Sequence, residues 1–128
     1  MSQIKSYKDL IVWQKAMILV KDIYRISRDL PEQGKYGLIS QAKRCAVSVP
    51  SNIAEGWGRF SSKNYLRFFR NSKGSLFEPE TQLILIQDLD FGINCETKLL
   101  EIKEISKKLI SLIKSISKKH ELEYGRSN

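Results

Sequence analysis

Ile102, Leu109 and Ile116 fall seven residues apart, with Ile105 and Leu112 between them, and this seam constrains the fold more than any other feature. Seven residues make about two helical turns, so the five side chains share one stripe of an α-helix. The pattern recurs upstream. Leu10, Met17 and Tyr24 form one such series; Phe69, Leu76 and Leu83 form another, and Tyr65, Ser72, Pro79 and Ile86 a third. No stretch alternates with the two-residue period of a strand. Helical segments joined by short loops predict an all-α protein, an up-down-up-down four-helix bundle. The expected helices run over about 7–29, 35–56, 62–90 and 95–119, in a single domain of 128 residues with 120–128 as a frayed tail.

Punctuation supports these bounds. Ser6 and Asp9 have the spacing of a capping box, just ahead of the first apolar run. Leu30-Pro31 ends that run, because the residue before a proline is pushed out of the helical region. Helix 3 is expected to start at Ser61 or Ser62, both good N-caps, and Asn94 to cap helix 4, with Glu96 in its first turn. Pro50 and Pro79 fall inside helical patterns, so helices 2 and 3 are expected to be kinked but continuous. Helix 1 is apolar nearly all round: Ile11, Val12, Ala16, Ile18, Leu19, Ile23 and Ile26 lie off its heptad series. One bundle core cannot cover that circumference, so a closed homo-oligomer is expected.

The segment SVPSNIAEGWGR, from Ser48 to Arg59, carries polar groups within an apolar helix. Ser48, Asn52 and Glu55 are spaced i, i+4, i+7 and share a stripe, as a hydrogen-bonded structural network would require. Counting along the hairpin of helices 2 and 3 sets Arg44 level with Glu78, and these two are expected to pair beside that stripe. The alternative for the stripe is a ligand or RNA site. Trp57 is expected as a cap over the bundle end, or as a base-stacking platform if it is exposed.

Several chemistries lack their residues. His120 is the one histidine, which removes the Glu-x-x-His pairs of a di-iron bundle and the Ser/His/Asp triad. There is no phosphate-cradling GxxxxGK[ST] loop. Cys45 and Cys95 match no metal spacing and no disulfide framework. No catalytic residue, cofactor or metal is therefore expected. The opening MSQIKSYKDL lacks the apolar run of a signal peptide, and no stretch could span a bilayer, so a cytoplasmic protein without a membrane partner is expected.

Charge points to a partner. The formal net charge is +8, which favours polyanions. Between Glu55 and Glu78 there is no acid, while Arg59, Lys63, Arg67, Arg70 and Lys73 follow at helical spacing. They form one ridge, and guanidinium groups match phosphate bidentately. Lys98, Lys103, Lys107, Lys108, Lys114, Lys118 and Lys119 make a second basic stretch, a solvated face or a phosphate-tracking one.

AVSVPSNIAEGWGR, GSLFEPETQL and YKDLIVWQKA together resemble the family of 23S ribosomal RNA intervening-sequence proteins, over about residues 7 to 119. The resemblance implies a left-handed four-helix bundle assembled as a homopentameric ring. It also implies kinship with the accessory variability determinant proteins of diversity-generating retroelements, which bind nucleic acid through basic surfaces and partner with a reverse transcriptase. The chain departs from the family pattern at Pro79, where a plain helix former such as Leu or Val is expected. Two functions are carried forward: a non-enzymatic module binding nucleic acid, RNA first, through its basic ridges, and an oligomeric scaffold that docks a protein partner.

Overall fold

The computed structural model describes residues 4–32, 35–58 and 62–124. Helices account for the regular structure, and no strand occurs among the described residues. A short 3-10 turn, Tyr7–Asp9, precedes α1 (Ile11–Asp29). A π-helical turn, Lys35–Ile39, runs directly into α2 (Ser40–Trp57). Then come α3 (Ser62–Gly74), α4 (Phe77–Asp88) and the long α5 (Glu96–Tyr124). The four arms of the expected bundle are present, with α3 and α4 as the two halves of the third.

The series of the third and last arms converge as their spacing predicts, but that of the first does not. Met17 is half-buried and Tyr24 exposed, and α1 faces the core with Val12, Ala16, Leu19, Ile23 and Ile26 instead. Leu19, Ile23, Val49, Ile53, Phe69, Leu83, Ile86, Ile102, Ile105 and Leu109 are fully buried in one core cluster. Each such aliphatic side chain contributes about 1.5–3 kcal/mol when removed from water. Lys15 reaches Glu104 at 3.1 Å and Lys98 reaches Asp22 at 3.3 Å, so α1 and α5 run antiparallel. Ser72 donates to the Val49 carbonyl at 2.8 Å across the antiparallel hairpin of α2 and α3.

Three boundaries differ from expectation. The capping box forms: Ser6 Oγ accepts from the Lys8 amide at 3.1 Å and Asp9 Oδ2 from the Ser6 amide at 3.1 Å. It closes the 3-10 turn, however, and not α1. Leu10 is extended (φ −73°, ψ 125°) and buried, so the α-helix starts one residue later, at Ile11.

The third arm is broken rather than merely curved. The helix over 62–90 stops at Gly74 and restarts at Phe77. Pro79 is the cause. It lacks an amide hydrogen and its ring would crowd the Ser75 carbonyl, but the third residue of a new helix needs no such donor. Pro50 lies inside a continuous α2, which meets the expectation of continuity. The last helix also outruns its predicted end at Lys119 and continues through Tyr124, into the segment expected to fray. Residues 125–128 of that tail lie outside the described residues.

The connection into α5 is tied by side chains. Asp90 and Gly92 take positive φ (58° and 79°), reversing the chain. Asn94 Oδ1 accepts from the Glu96 amide at 2.9 Å, as its capping role requires. Gln87 bridges the turn from α4, accepting from the Cys95 amide at 2.8 Å and donating to Glu96 Oε1 at 2.9 Å.

Candidate nucleic-acid interface

Helix α3 turns two faces in different directions. Leu66, Phe69 and Ser72 are buried, while Lys63, Arg67, Arg70 and Asn71 are exposed. At 100° per residue, Lys63, Arg67 and Arg70 lie within about 60° of one another, on the side opposite the core. Lys73 sits on the flank and is half-buried. Arg67 lies over the Phe68 ring at 4.8 Å, a contact that holds the guanidinium against the surface. Arg59 belongs to the expected ridge but lies outside the described residues.

Three basic residues of α1 and α5 are held in ion pairs among the described residues, and the other described basic residues, on α5 as well as on α3, are not. Arg25 binds Asp22 at 3.1 Å, Lys15 binds Glu104, and Lys98 reaches both Asp22 and Glu101. The charge of Lys63, Arg67, Arg70 and Lys73 has no ion-pair partner among the described residues. Lys98 therefore leaves the second basic stretch: it is half-buried and belongs to the α1–α5 contact. Lys103, Lys107, Lys114, Lys118 and Lys119 remain exposed along α5.

That α1–α5 contact was not foreseen from the sequence. Asp22, with only 9% of its side chain exposed, sits inside the apolar run of α1. A lone acid between Val20 and Ile23 was the available signal. Glu101 stands beside it. Burial raises the Glu101 carboxyl above its ordinary value; Lys98 opposes the shift, while the charge and hydrogen bond of Asp22 reinforce it.

The polar stripe on α2 is arranged more locally than expected. Ser48 Oγ donates to the Cys45 carbonyl at 2.6 Å, and Asn52 Nδ2 to the Ser48 carbonyl at 2.8 Å. Both bond back to their own helix, and Glu55 is exposed. The buried polar link between α2 and α3 comes instead from Ser72.

Arg44 and Glu78 do not pair. Arg44 is exposed, and Glu78 accepts a hydrogen bond from the Cys45 thiol. The hairpin level was right but the face was not, since one residue on a helix turns the side chain by about 100°. The Cys45 thiol is pushed up to about 11, first by burial, then by the hydrogen bond and charge of Glu78, with Arg44 opposing.

Trp57 is half-buried at the C-terminus of α2. With Tyr65 and Phe69 it lines a cavity of about 240 Å³ that α5 closes with Leu112, Ile116 and Lys119. Among the described residues, no group of three or more His, Cys, Asp or Glu side chains gathers as metal ligands would. No helix among them is long and apolar enough to cross a membrane.

Fold and surface together define an all-α four-helix-bundle protein with an exposed cationic helix face. The family model of the 23S rRNA-intervening sequence protein matches residues 8–118, and the chain belongs to that family. A comparison with curated proteins finds no match.

Proposed function

We propose that this protein is a non-enzymatic nucleic-acid-binding bundle that holds RNA through the exposed face of α3. The observation that carries this is the ridge Lys63, Arg67, Arg70 and Lys73, whose charges have no carboxylate partner among the described residues. Cations that serve the fold are neutralised here, as Lys98 and Arg25 are. A polyanion would supply the counter-charge that the described residues do not, and binding releases the counterions condensed on the polyanion. Contacts of this kind follow backbone and shape more than sequence. The family's name, which refers to 23S rRNA, is compatible with such a ligand.

Self-association is the second part of the proposal. Ile11 is 58% exposed and Ile18 51%, two turns apart on one side of α1. On α4, Phe77, Ile84 and Leu85 are exposed as well. Apolar side chains repeated on two helices support a closed homo-oligomer, the pentamer of the family resemblance, which would repeat the ridge and add avidity. Sedimentation as a stable monomer at micromolar concentration would refute the assembly.

The ridge is tested by replacing Arg67 and Arg70 with Gln and measuring RNA affinity against salt. Affinity should fall about equally for unrelated sequences, and the slope of log K on log salt should flatten by about 0.7–0.9 for each lost phosphate contact. In the competing scaffold reading, the arginines pair with Glu55, Glu78 or Glu80 of a neighbouring subunit. The double variant would then dissolve the oligomer and leave any RNA affinity unchanged.

A further inference from the structure

The core seam of α5 ends abruptly in burial. Ile102, Ile105 and Leu109 are fully buried, yet Leu112 and Ile116, next in the same series, are only half-buried. The register of α1 on α5 gives the reason. With Lys15 at Glu104 and Asp22 at Lys98, Ile11 falls level with about Lys108, so α5 runs on past the start of α1. At this end of the bundle α5 packs without α1 as a fourth wall. The space left is the cavity lined by Trp57, Tyr65, Phe69, Leu112, Ile116 and Lys119.

Its chemistry is specific. Tyr65 and Phe69 stack with ring centroids 6.1 Å apart and planes 19° from parallel, and Trp57 adds a third aromatic surface. Aliphatic Leu112 and Ile116 form the opposite wall, and Lys119 supplies a cation. The volume, about 240 Å³, is just below the roughly 300–1,000 Å³ of sites for drug-sized ligands and suits one planar ring system. Aromatic walls with an adjoining cation match a nucleobase and its phosphate.

We propose that this aromatic cavity receives an unpaired base of the RNA whose backbone lies on the α3 ridge. The inference rests on the nucleic-acid reading above and adds a ligand class to it: single-stranded or bulged RNA in preference to a continuous duplex. The link is made at the end of the helix. Lys63 and Tyr65 both lie in the first turn of α3, where Trp57 closes α2, on opposite sides of that helix. The strand therefore passes over the helix end to reach the cavity. A strand following the ridge toward the start of α3 arrives at the end of the bundle that holds the cavity. A base within a duplex is stacked on its neighbours and presents no free face to such a cavity.

Trp13 and Trp57 are the two tryptophans, so Trp13→Phe leaves Trp57 as the single indole reporter. In that background, short single-stranded oligoadenylate, a blunt RNA duplex of equal length and AMP alone are titrated, with fluorescence and anisotropy read together. The expected result is that the oligonucleotide binds and quenches Trp57, while the duplex binds without quenching. AMP should quench only weakly. Tyr65→Leu, which keeps the wall apolar but removes a stacking face, should lower single-strand affinity about 5- to 150-fold and leave duplex affinity unchanged. Single-strand binding with no change in Trp57 emission would overturn the cavity and leave the ridge standing. Equal loss for both RNAs in Tyr65→Leu would do the same. Quenching by AMP as strong as by oligoadenylate, and unaffected by Arg67→Gln/Arg70→Gln, would make this a free-nucleotide site and refute the RNA strand as occupant. Binding of neither RNA removes the ridge reading and this one together.

Discussion

Gly56 gives a sharp test of how closely α2 and α3 pack. A Cβ added there would lie 3.0 Å from Phe68 Cβ and 3.3 Å from Phe69 Cε1. Carbon atoms in proteins prefer about 3.5–4.0 Å. Neither neighbour yields easily: Phe68 Cβ moves only with the α3 backbone, and Phe69 is held 1% exposed in the core. Overpacking of this kind costs about 1–3 kcal/mol, against a helix-propensity gain of about 0.5–1 kcal/mol for replacing glycine by alanine. Gly56→Ala should therefore destabilise the fold by about 0.5–2 kcal/mol. For 128 residues, an unfolding entropy near 2.1 cal/mol/K per residue makes 1 kcal/mol worth about 4 °C. The melting temperature should fall by about 2–7 °C. Gly74, the last residue of α3, is the control: an added Cβ there meets nothing within 4 Å. Gly74→Ala should hold or raise the melting temperature by up to about 4 °C. Thermal unfolding followed by circular dichroism reads both. Equal behaviour of the two variants would refute the close α2–α3 approach.

Two further predictions concern titrating groups. The Cys45 thiol, raised from 9.0 to about 11, should carry roughly 100-fold less thiolate at neutral pH than an ordinary cysteine, and alkylate correspondingly slowly. Glu78→Ala removes the hydrogen bond and the charge but not burial, so it should accelerate alkylation only in part; no acceleration would sink the assigned contact. Cys95 is fully buried and should react only on unfolding. Glu101 has a raised carboxyl in the fold, so the native state binds its proton more tightly than the unfolded chain does. Its contribution is fully present below the ordinary value of 4.5 and is lost as pH rises through the raised value. Glu101→Gln cannot titrate and should gain stability relative to the parent across that window; denaturant melts at several pH values would show a constant difference if burial did not shift the group.

The sequence determined the fold class, because a seven-residue apolar period fits helices and nothing else. It also determined the ridge. Lys63, Arg67 and Arg70 recur at helical spacing, and an acid-free stretch of chain is visible without coordinates. The family was legible in the motifs around Asn52–Gly56 and Gly74–Leu83. Tertiary structure decided what depends on distance between segments. Whether Pro79 bends a helix or begins one depends on where the chain can restart, and its position as the third residue of α4 settled that. Which side chain meets Glu78 turned on 100° of rotation about α2, so Cys45 took the place expected for Arg44. Asp22 and Lys98 are 76 residues apart, and only the α1–α5 register brings them within 3.3 Å. The same register leaves the far end of α5 without a fourth wall. Periodicity tells which residues face inward, but how far each helix extends alongside its neighbour is fixed only when they pack.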